Sequence, residues 1–165
     1  MWSVTTERLA AIDMVFFDFD GVFTDNTVLV SQDGVESVRC WRSDGLGLKR
    51  LTSVGVRSMI VSTETNSVVG ARARKLGMDY VQGVPDKAAA ILDLCMQKGI
   101  DAARAMFVGN DINDIPAFKV VGLPIAVADA YEEVLKHVLS QTERPGGYGA
   151  VREICDYIVR ARGGV

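Results

Sequence analysis

Short apolar runs recur along this chain, and the gap between one and the next is about the length of a helix. Met14-Val15-Phe16-Phe17, Val56 to Val61, Tyr80-Val81-Gln82-Gly83, Ala105 to Val108 and Leu123 to Ala128 are rich in β-branched, aromatic and other apolar residues, as buried strands are. Between them, Leu48 and Leu51, then Val68, Val69, Arg72, Ala73 and Leu76, then Ala88, Ile91, Leu92 and Leu94 fall at helical spacing, with stops near Gly55, Gly77 and Gly99. Glu132 to Leu139 and Val151 to Ala161 read as two further helices. Strand and helix in regular alternation predict the α/β class: a doubly wound, Rossmann-like parallel sheet. With 165 residues, 48% of them hydrophobic, the chain suits one domain spanning residues 1–165.

In such a sheet ligands gather beyond the carboxyl ends of the strands, and polar residues follow several of these runs directly. The first strand runs into Asp18-Phe19-Asp20-Gly21-Val22-Phe23-Thr24-Asp25. If the strand persists, Asp18 and Asp20 point to one side. Paired carboxylates repel unless a hard cation separates them or a pKa shifts. The second strand ends at Ser62-Thr63-Glu64, before a helix whose free amides suit an anion; these hydroxyls equally suit a helix cap. Pro85-Asp86-Lys87 opens the third helix, with Pro85 suited to its first turn. Lys87 is then a cation at a helix amino end, which the macrodipole disfavours and which points to a functional role. Gly109-Asn110-Asp111-Ile112-Asn113-Asp114 places a second acidic cluster after the fourth strand. A hairpin is expected where Thr27 to Val30 and Val35 to Trp41 flank Ser31-Gln32-Asp33-Gly34. Arg144-Pro145-Gly146-Gly147-Tyr148-Gly149 is too rich in glycine for helix or strand.

Other classes lack support. Eighteen basic and 21 acidic residues are interspersed, net charge −3, so no basic stripe awaits a nucleic acid. Cys40, Cys95 and Cys155 are odd in number and far apart, which indicates neither a disulfide framework nor a zinc site. Neither a leader at the amino end nor a bilayer-length apolar run is read, so the expected location is cytoplasmic, without a membrane partner. His137, the single histidine, has no serine–aspartate company, and no phosphate-loop or dinucleotide glycine pattern occurs. A phosphate-accepting receiver would leave the downstream acidic cluster unexplained.

The ordered set of D-x-D, Ser62, Lys87 and the acidic cluster resembles the haloacid dehalogenase-like phosphohydrolases. D-F-D-G-V-F-T-D, R-S-D-G-L-G-L-K, Q-G-V-P-D-K, V-G-N-D-I-N-D and P-G-G-Y-G-A-V-R-E are similar to the 3-deoxy-ulosonate phosphate phosphatases, over roughly residues 12 to 160. That resemblance implies Asp18 as the nucleophile that becomes an aspartyl phosphate and Asp20 as acid and base, with Ser62 and Lys87 on the phosphoryl oxygens. It also implies Mg²⁺ held by Asp18, the backbone of Asp20 and the acidic cluster. The usual metal-binding aspartate there is Asn110, so Asn110, Asp111 as its substitute, and Asp114 are the candidate ligands; Asp114 is alternatively the residue that orients the lysine. The implied substrate is a small sugar acid phosphate. The octulosonate enzymes read T-G-R where this chain has Ser62-Thr63-Glu64, and the nonulosonate type has Glu there with a lysine matching Lys75. Thr63, Glu64, Arg72 and Lys75 are therefore expected on the substrate, with a lean toward a nine-carbon acid 9-phosphate and the octulosonate 8-phosphate as the alternative.

Asp20 to Ser62 holds only the hairpin and one helix, and Ser62 to Lys87 one helix and one strand, so no cap domain fits. Cover is expected from the hairpin as a flap or from another subunit. The resemblance implies a homotetramer in which Gly146 and Gly147 reach a neighbouring site. In one branch it implies a sialic acid cytidylyltransferase as partner, with the domain surviving as an oligomerisation unit.

Overall fold

The computed structural model describes residues 2–164. A short helix α1 (Thr6–Ala10) precedes β1 (Met14–Phe17), followed by a hairpin of β2 (Leu29–Val30) and β3 (Glu36–Ser37). Then come α2 (Asp44–Ser53), β4 (Arg57–Val61), α3 (Val68–Leu76), β5 (Asp79–Val81), α4 (Lys87–Lys98) and β6 (Ala105–Gly109). The chain closes with α5 (Ile115–Phe118), β7 (Leu123–Ala126), α6 (Glu132–Leu135), β8 (Ser140–Gln141) and α7 (Ala150–Ala161). Six strands form one parallel sheet in the order β5-β4-β1-β6-β7-β8.

Side chains on β1 alternate between two cores. Val15 and Phe17 join Leu48 and Leu51 of α2 and Ile154 and Ile158 of α7 on one face. Met14 and Phe16 join Ile91 and Cys95 of α4 and Phe118 of α5 on the other. Both faces of the strand are dry, which explains why it reads as a continuous apolar run. Each such side chain contributes about 1.5–3 kcal/mol on burial. On α7 the buried positions Val151, Ile154, Cys155, Ile158 and Val159 mark one face at helical spacing.

From β1 the chain builds outward to β4 and β5, then returns to the other side of β1 with β6, β7 and β8. The order therefore reverses between β1 and β6, and the loops after those two strands open the crevice where such sheets bind ligands.

Several expected elements are corrected. β1 stops at Phe17, and the amides of Val22, Phe23 and Thr24 turn back onto the Phe19 carbonyl, so a turn and not strand alternation places Asp20. The helix expected over Glu132 to Leu139 ends at Leu135. Leu139 donates to the Pro124 carbonyl and Thr142 to that of Ala126, drawing the chain into β8 as an edge strand. Pro85 lies outside α4: Asp86 is the cap, accepting from Ala89 N at 3.1 Å, and Lys87 is the first helical residue. The hairpin forms around its turn, but only Leu29↔Ser37 and Val30↔Glu36 pair, and both strands are exposed. Neither α1 nor β8 is foreseen from the sequence.

Candidate active site

Polar residues collect at the β1/β6 crevice in an otherwise apolar interior. Asp18, Ser62, Lys87, Asn110 and Asp114 are all 5% exposed or less. The Asp18 amide donates to the Val108 carbonyl at 2.9 Å, which extends the β1–β6 ladder one residue beyond β1 and fixes the root of its carboxylate. Ser62 is fixed similarly past β4, its amide donating to Val81 O at 3.0 Å.

Lys87 Nζ lies 2.8 Å from Asp18 Oδ1 and 2.6 Å from Asp114 Oδ1, and sits over the Phe107 ring at 5.7 Å. Burial alone would lower the lysine pKa, but the two carboxylates outweigh it and hold the ammonium above its ordinary value. They also explain how a cation is tolerated at the amino end of α4. Burial first, then repulsion from Asp114, pushes the Asp18 carboxyl up to about 7 against the opposing pull of Lys87. Asp20 is also raised, by burial and then by the charges of Glu64 and Glu36, while Lys87 and a Thr24 hydrogen bond oppose the shift.

Asp114 is not free to serve as a metal ligand. Its Oδ1 is taken by Lys87, and its Oδ2 accepts from the amides of Asn110 at 2.8 Å and Asp111 at 3.2 Å. It orients the lysine and the loop, which corrects the ligand expectation in favour of its alternative. Asp111 caps the following turn, its Oδ1 accepting from Ile112 N at 2.6 Å. Asn110 differs. Its Oδ1 is buried without a hydrogen-bond partner, a costly state for an amide oxygen unless something else binds it. Its side chain packs against Gly21, whose φ of +76° suits glycine and where a Cβ would collide with the amide.

These features fit a divalent cation. Asp18 and Asp114 share one ammonium whose charge also acts on Asp20, and the Asn110 amide oxygen beside them is unpartnered. Among the described residues no three acidic, histidine or cysteine side chains converge as a metal cluster. The fitting donors are instead the Asp18 carboxylate and the Asn110 amide, with hard oxygen character suited to Mg²⁺.

Around this centre the remaining expected residues separate. Ser62 Oγ accepts from Glu64 N at 3.1 Å. Thr63 is exposed and receives a 3.4 Å hydrogen bond from Asn113, linking the loops after β4 and β6. Glu64 Oε1 accepts from Thr65 N and Asn66 N, and Glu64 lines a cavity of about 200 Å³ with Asp20, Asn26, Thr27, Glu36 and Asn66. Arg72 and Lys75 do not line it. They lie with Arg42, Lys49 and Leu46 around a separate cavity of about 480 Å³, and Arg72 donates to Trp41 O at 2.9 Å. Within one chain, therefore, they are not gathered beside Asp20.

Gly146 and Gly147 pack closely within their own chain. The Gly147 amide donates to Val22 O at 3.0 Å and the Gly146 amide to Asp129 Oδ1 at 2.8 Å. A Cβ on either would strike the Gly21–Asp25 backbone. The segment buttresses its own chain's Asp20 loop. Asp25 and Arg39 pair at 2.6 Å, and Arg39 also bonds and overlies Tyr148, tying the hairpin base to this buttress. That network is missed by sequence reasoning, as is Thr24, whose buried hydroxyl accepts from Gly21 N and Asn26 N. Its position inside D-F-D-G-V-F-T-D is the signal that was available.

A profile of the haloacid dehalogenase-like hydrolases matches residues 71–151. The 3-deoxy-D-manno-octulosonate 8-phosphate phosphatase of Haemophilus influenzae is 34% identical over 162 residues, covering 95% of this chain and 88% of its own. The Moraxella catarrhalis enzyme of the same name, solved with magnesium, phosphate and KDO, superposes with a TM-score of 0.90 at 30% identity, covering 94% of this chain and 90% of its own. A Streptomyces avermitilis protein assigned to the same hydrolase family superposes at 0.89 with 45% identity, covering 94% and 88%. Two strand-end aspartates, a buried lysine between carboxylates and full-length likeness to these proteins agree: the chain belongs to the haloacid dehalogenase-like hydrolases, among the relatives of the 3-deoxy-ulosonate phosphate phosphatases.

Proposed function

We propose that this phosphatase removes phosphate from a 3-deoxy-ulosonic acid phosphate through an aspartyl-phosphate intermediate, with Mg²⁺ held by Asp18, Asn110 and the backbone carbonyl of Asp20. The observation that carries the reading is the buried Asp18–Lys87–Asp114 chain beside an unpartnered Asn110 oxygen. It supplies a nucleophile, a fixed cation for the phosphoryl oxygens and a vacant hard donor within one crevice.

Asp18 attacks phosphorus in its ionised form, which contact with Lys87 favours. Lys87 and the Ser62 hydroxyl stabilise charge on the transferring oxygens from positions already fixed by the backbone. Asp20, held above the usual carboxylate range, carries a proton to give the leaving alkoxide and then removes one from the water that cleaves the acyl phosphate. When bound, Mg²⁺ offsets the negative charge of Asp18 and the phosphoryl group and aligns the two.

The eight-carbon 8-phosphate is favoured by the names of the relatives that cover this chain nearly end to end. A nine-carbon 9-phosphate is the second reading, supported by Glu64 beside Asp20 in the substrate cavity. A homotetramer fits the proposal, because Val28, Leu29, Val30 and Val35 on the hairpin are 50–75% exposed and would be covered by another copy. An assembly role beside a sialic acid cytidylyltransferase, without catalysis, is the competing outcome.

The test is steady-state phosphate release with Mg²⁺ from both ulosonate phosphates and from hexose phosphates, for wild type and Asp18→Asn. Turnover that peaks on one ulosonate and is abolished in Asp18→Asn is expected. Wild-type turnover retained in that variant would exclude the aspartyl phosphate, and no release from any substrate would leave only the assembly role.

A further inference from the structure

The hairpin does more than stand beside the site. From β3, Glu36 extends to the loop after β4, where Asn66 Nδ2 donates to its Oε2 at 3.0 Å. Asn66 is itself held: its Oδ1 accepts from Val68 N at 3.0 Å, and Gln82 bonds the carbonyls of Thr65 and Asn66. This link spans the 200 Å³ cavity whose lining includes Asp20, Glu36, Glu64 and Asn66, and no lysine or arginine lines that cavity. Lys87, the cation paired with Asp18, is buried and does not line that cavity.

A phosphomonoester entering this crevice meets two unlike ends. Its phosphoryl group is drawn to Lys87 and Ser62. The part next to the ester oxygen meets carboxylates, which repel any anionic group but accept hydrogen bonds from hydroxyls. A charge-assisted bond of that kind is among the stronger ones available to a neutral ligand. Oε1 of Glu36 has no hydrogen-bond partner among the described residues and is left for such a hydroxyl.

Resting on the phosphatase reading, we propose that Glu36, positioned by Asn66, is a specificity-determining residue that binds hydroxyls of the leaving alcohol close to the phosphate. The preferred substrate is then a phosphate ester at the end of a polyol chain, entering with that chain against Glu36 and Glu64. Esters with a carboxylate beside the phosphate are excluded by the same wall.

The experiment compares kcat/KM for three phosphomonoesters, a hexitol 6-phosphate, n-hexyl phosphate and 2-phosphoglycolate, in wild type, Glu36→Gln and Glu36→Leu. Wild type is expected to favour the hexitol ester over both others. In Glu36→Leu the hexitol-to-hexyl ratio is expected to fall about ten- to hundredfold, carried mainly by KM, with Glu36→Gln intermediate. A wild type that does not distinguish the hexitol from the hexyl ester overturns the inference. So does a Glu36→Leu variant in which both esters decline together and the ratio is kept, because that is the mark of a hairpin anchor alone. If wild type releases phosphate neither from these three nor from the ulosonate phosphates, the phosphatase reading falls and this one with it.

Discussion

Replacing Asn110 by Asp tests the metal site through the sign of a stability change. Asp18 and Asp114 contact Lys87 and Asp20 feels its charge, so three carboxylates share one ammonium among the described residues, an excess of two negative charges when all are ionised. Asn110→Asp adds a further carboxylate at a position only 5% exposed. At an effective dielectric of about 20, two unit charges about 5 Å apart repel by about 3 kcal/mol, part of which proton uptake relieves. Without a cation the variant should therefore lose about 1–3 kcal/mol, or roughly 2–10 °C in unfolding midpoint for a chain of this length. With Mg²⁺ the added charge faces a divalent cation and becomes favourable. Binding should tighten about ten- to hundredfold, equivalent to about 1.4–2.8 kcal/mol. Thermal unfolding in chelator and in millimolar Mg²⁺, beside calorimetric titration of the metal, reads both effects. A midpoint shift of the same sign and size in both conditions would show that Asn110 Oδ1 does not meet the cation, and would remove the reason given for its unpartnered state.

Two further perturbations probe the buried charges. Lys87→Met leaves Asp18 and Asp114 facing each other without a counter-ion and should cost about 3–5 kcal/mol in denaturant unfolding near pH 7, where a loss under 1 kcal/mol would refute the pairing. Asp44, outside the site and 1% exposed, has one oxygen without a partner, and burial pushes its carboxyl up to about 7 despite the opposing Arg152 amide. Because the folded form binds the proton more tightly than the unfolded chain, this group favours folding fully below about pH 4, and the contribution is lost as pH rises to about 7. Asp44→Asn should remove up to about 4 kcal/mol of that decline, so its advantage over wild type grows from pH 4 to pH 8; an equal difference at both pH values would refute the shift.

The strands after which chemistry collects were legible because β1 and β6 are apolar on both faces and β4 is so over Met59–Val61, and such runs look alike in any context. Lys87 stood out for a related reason: a cation at a helix start violates a local rule, and the structure resolves the violation with two carboxylates from distant strands. What sequence left hidden are pairings whose partners are far apart along the chain. Asp114 could not be told from a metal ligand until both its oxygens were seen to be occupied. Gly146 and Gly147 read as a free glycine-rich segment, although their small size is needed for close approach to residues 21–25. β8 was invisible because two residues at a sheet edge carry no period, and its hydrogen bonds to β7 outcompete the continuation of α6.

The two ends of the crevice are built by different physics, and that difference bears on how such a site diversifies. The phosphoryl end is held by main-chain bonds: Asp18 N to Val108 O and Val127 N to Gly109 O continue the sheet, and Tyr131 N to Asn110 O ties the loop after β6 to the start of α6. Main chain makes those bonds whatever the side chain, so the nucleophile and the cation donor are fixed in place together. The leaving-group end is walled by a hairpin with two paired positions, joined to the body by side chains: Glu36 to Asn66, Arg39 to Asp25 and Tyr148. Glu36 and Tyr148 are exposed, as is the Arg39 side chain, while Asp25 and Asn66 are half-buried; polar contacts near a surface contribute little to stability, so they can change without loss of the fold. Phosphoryl transfer is thereby a property of the sheet, and the choice of alcohol a property of what is attached to it.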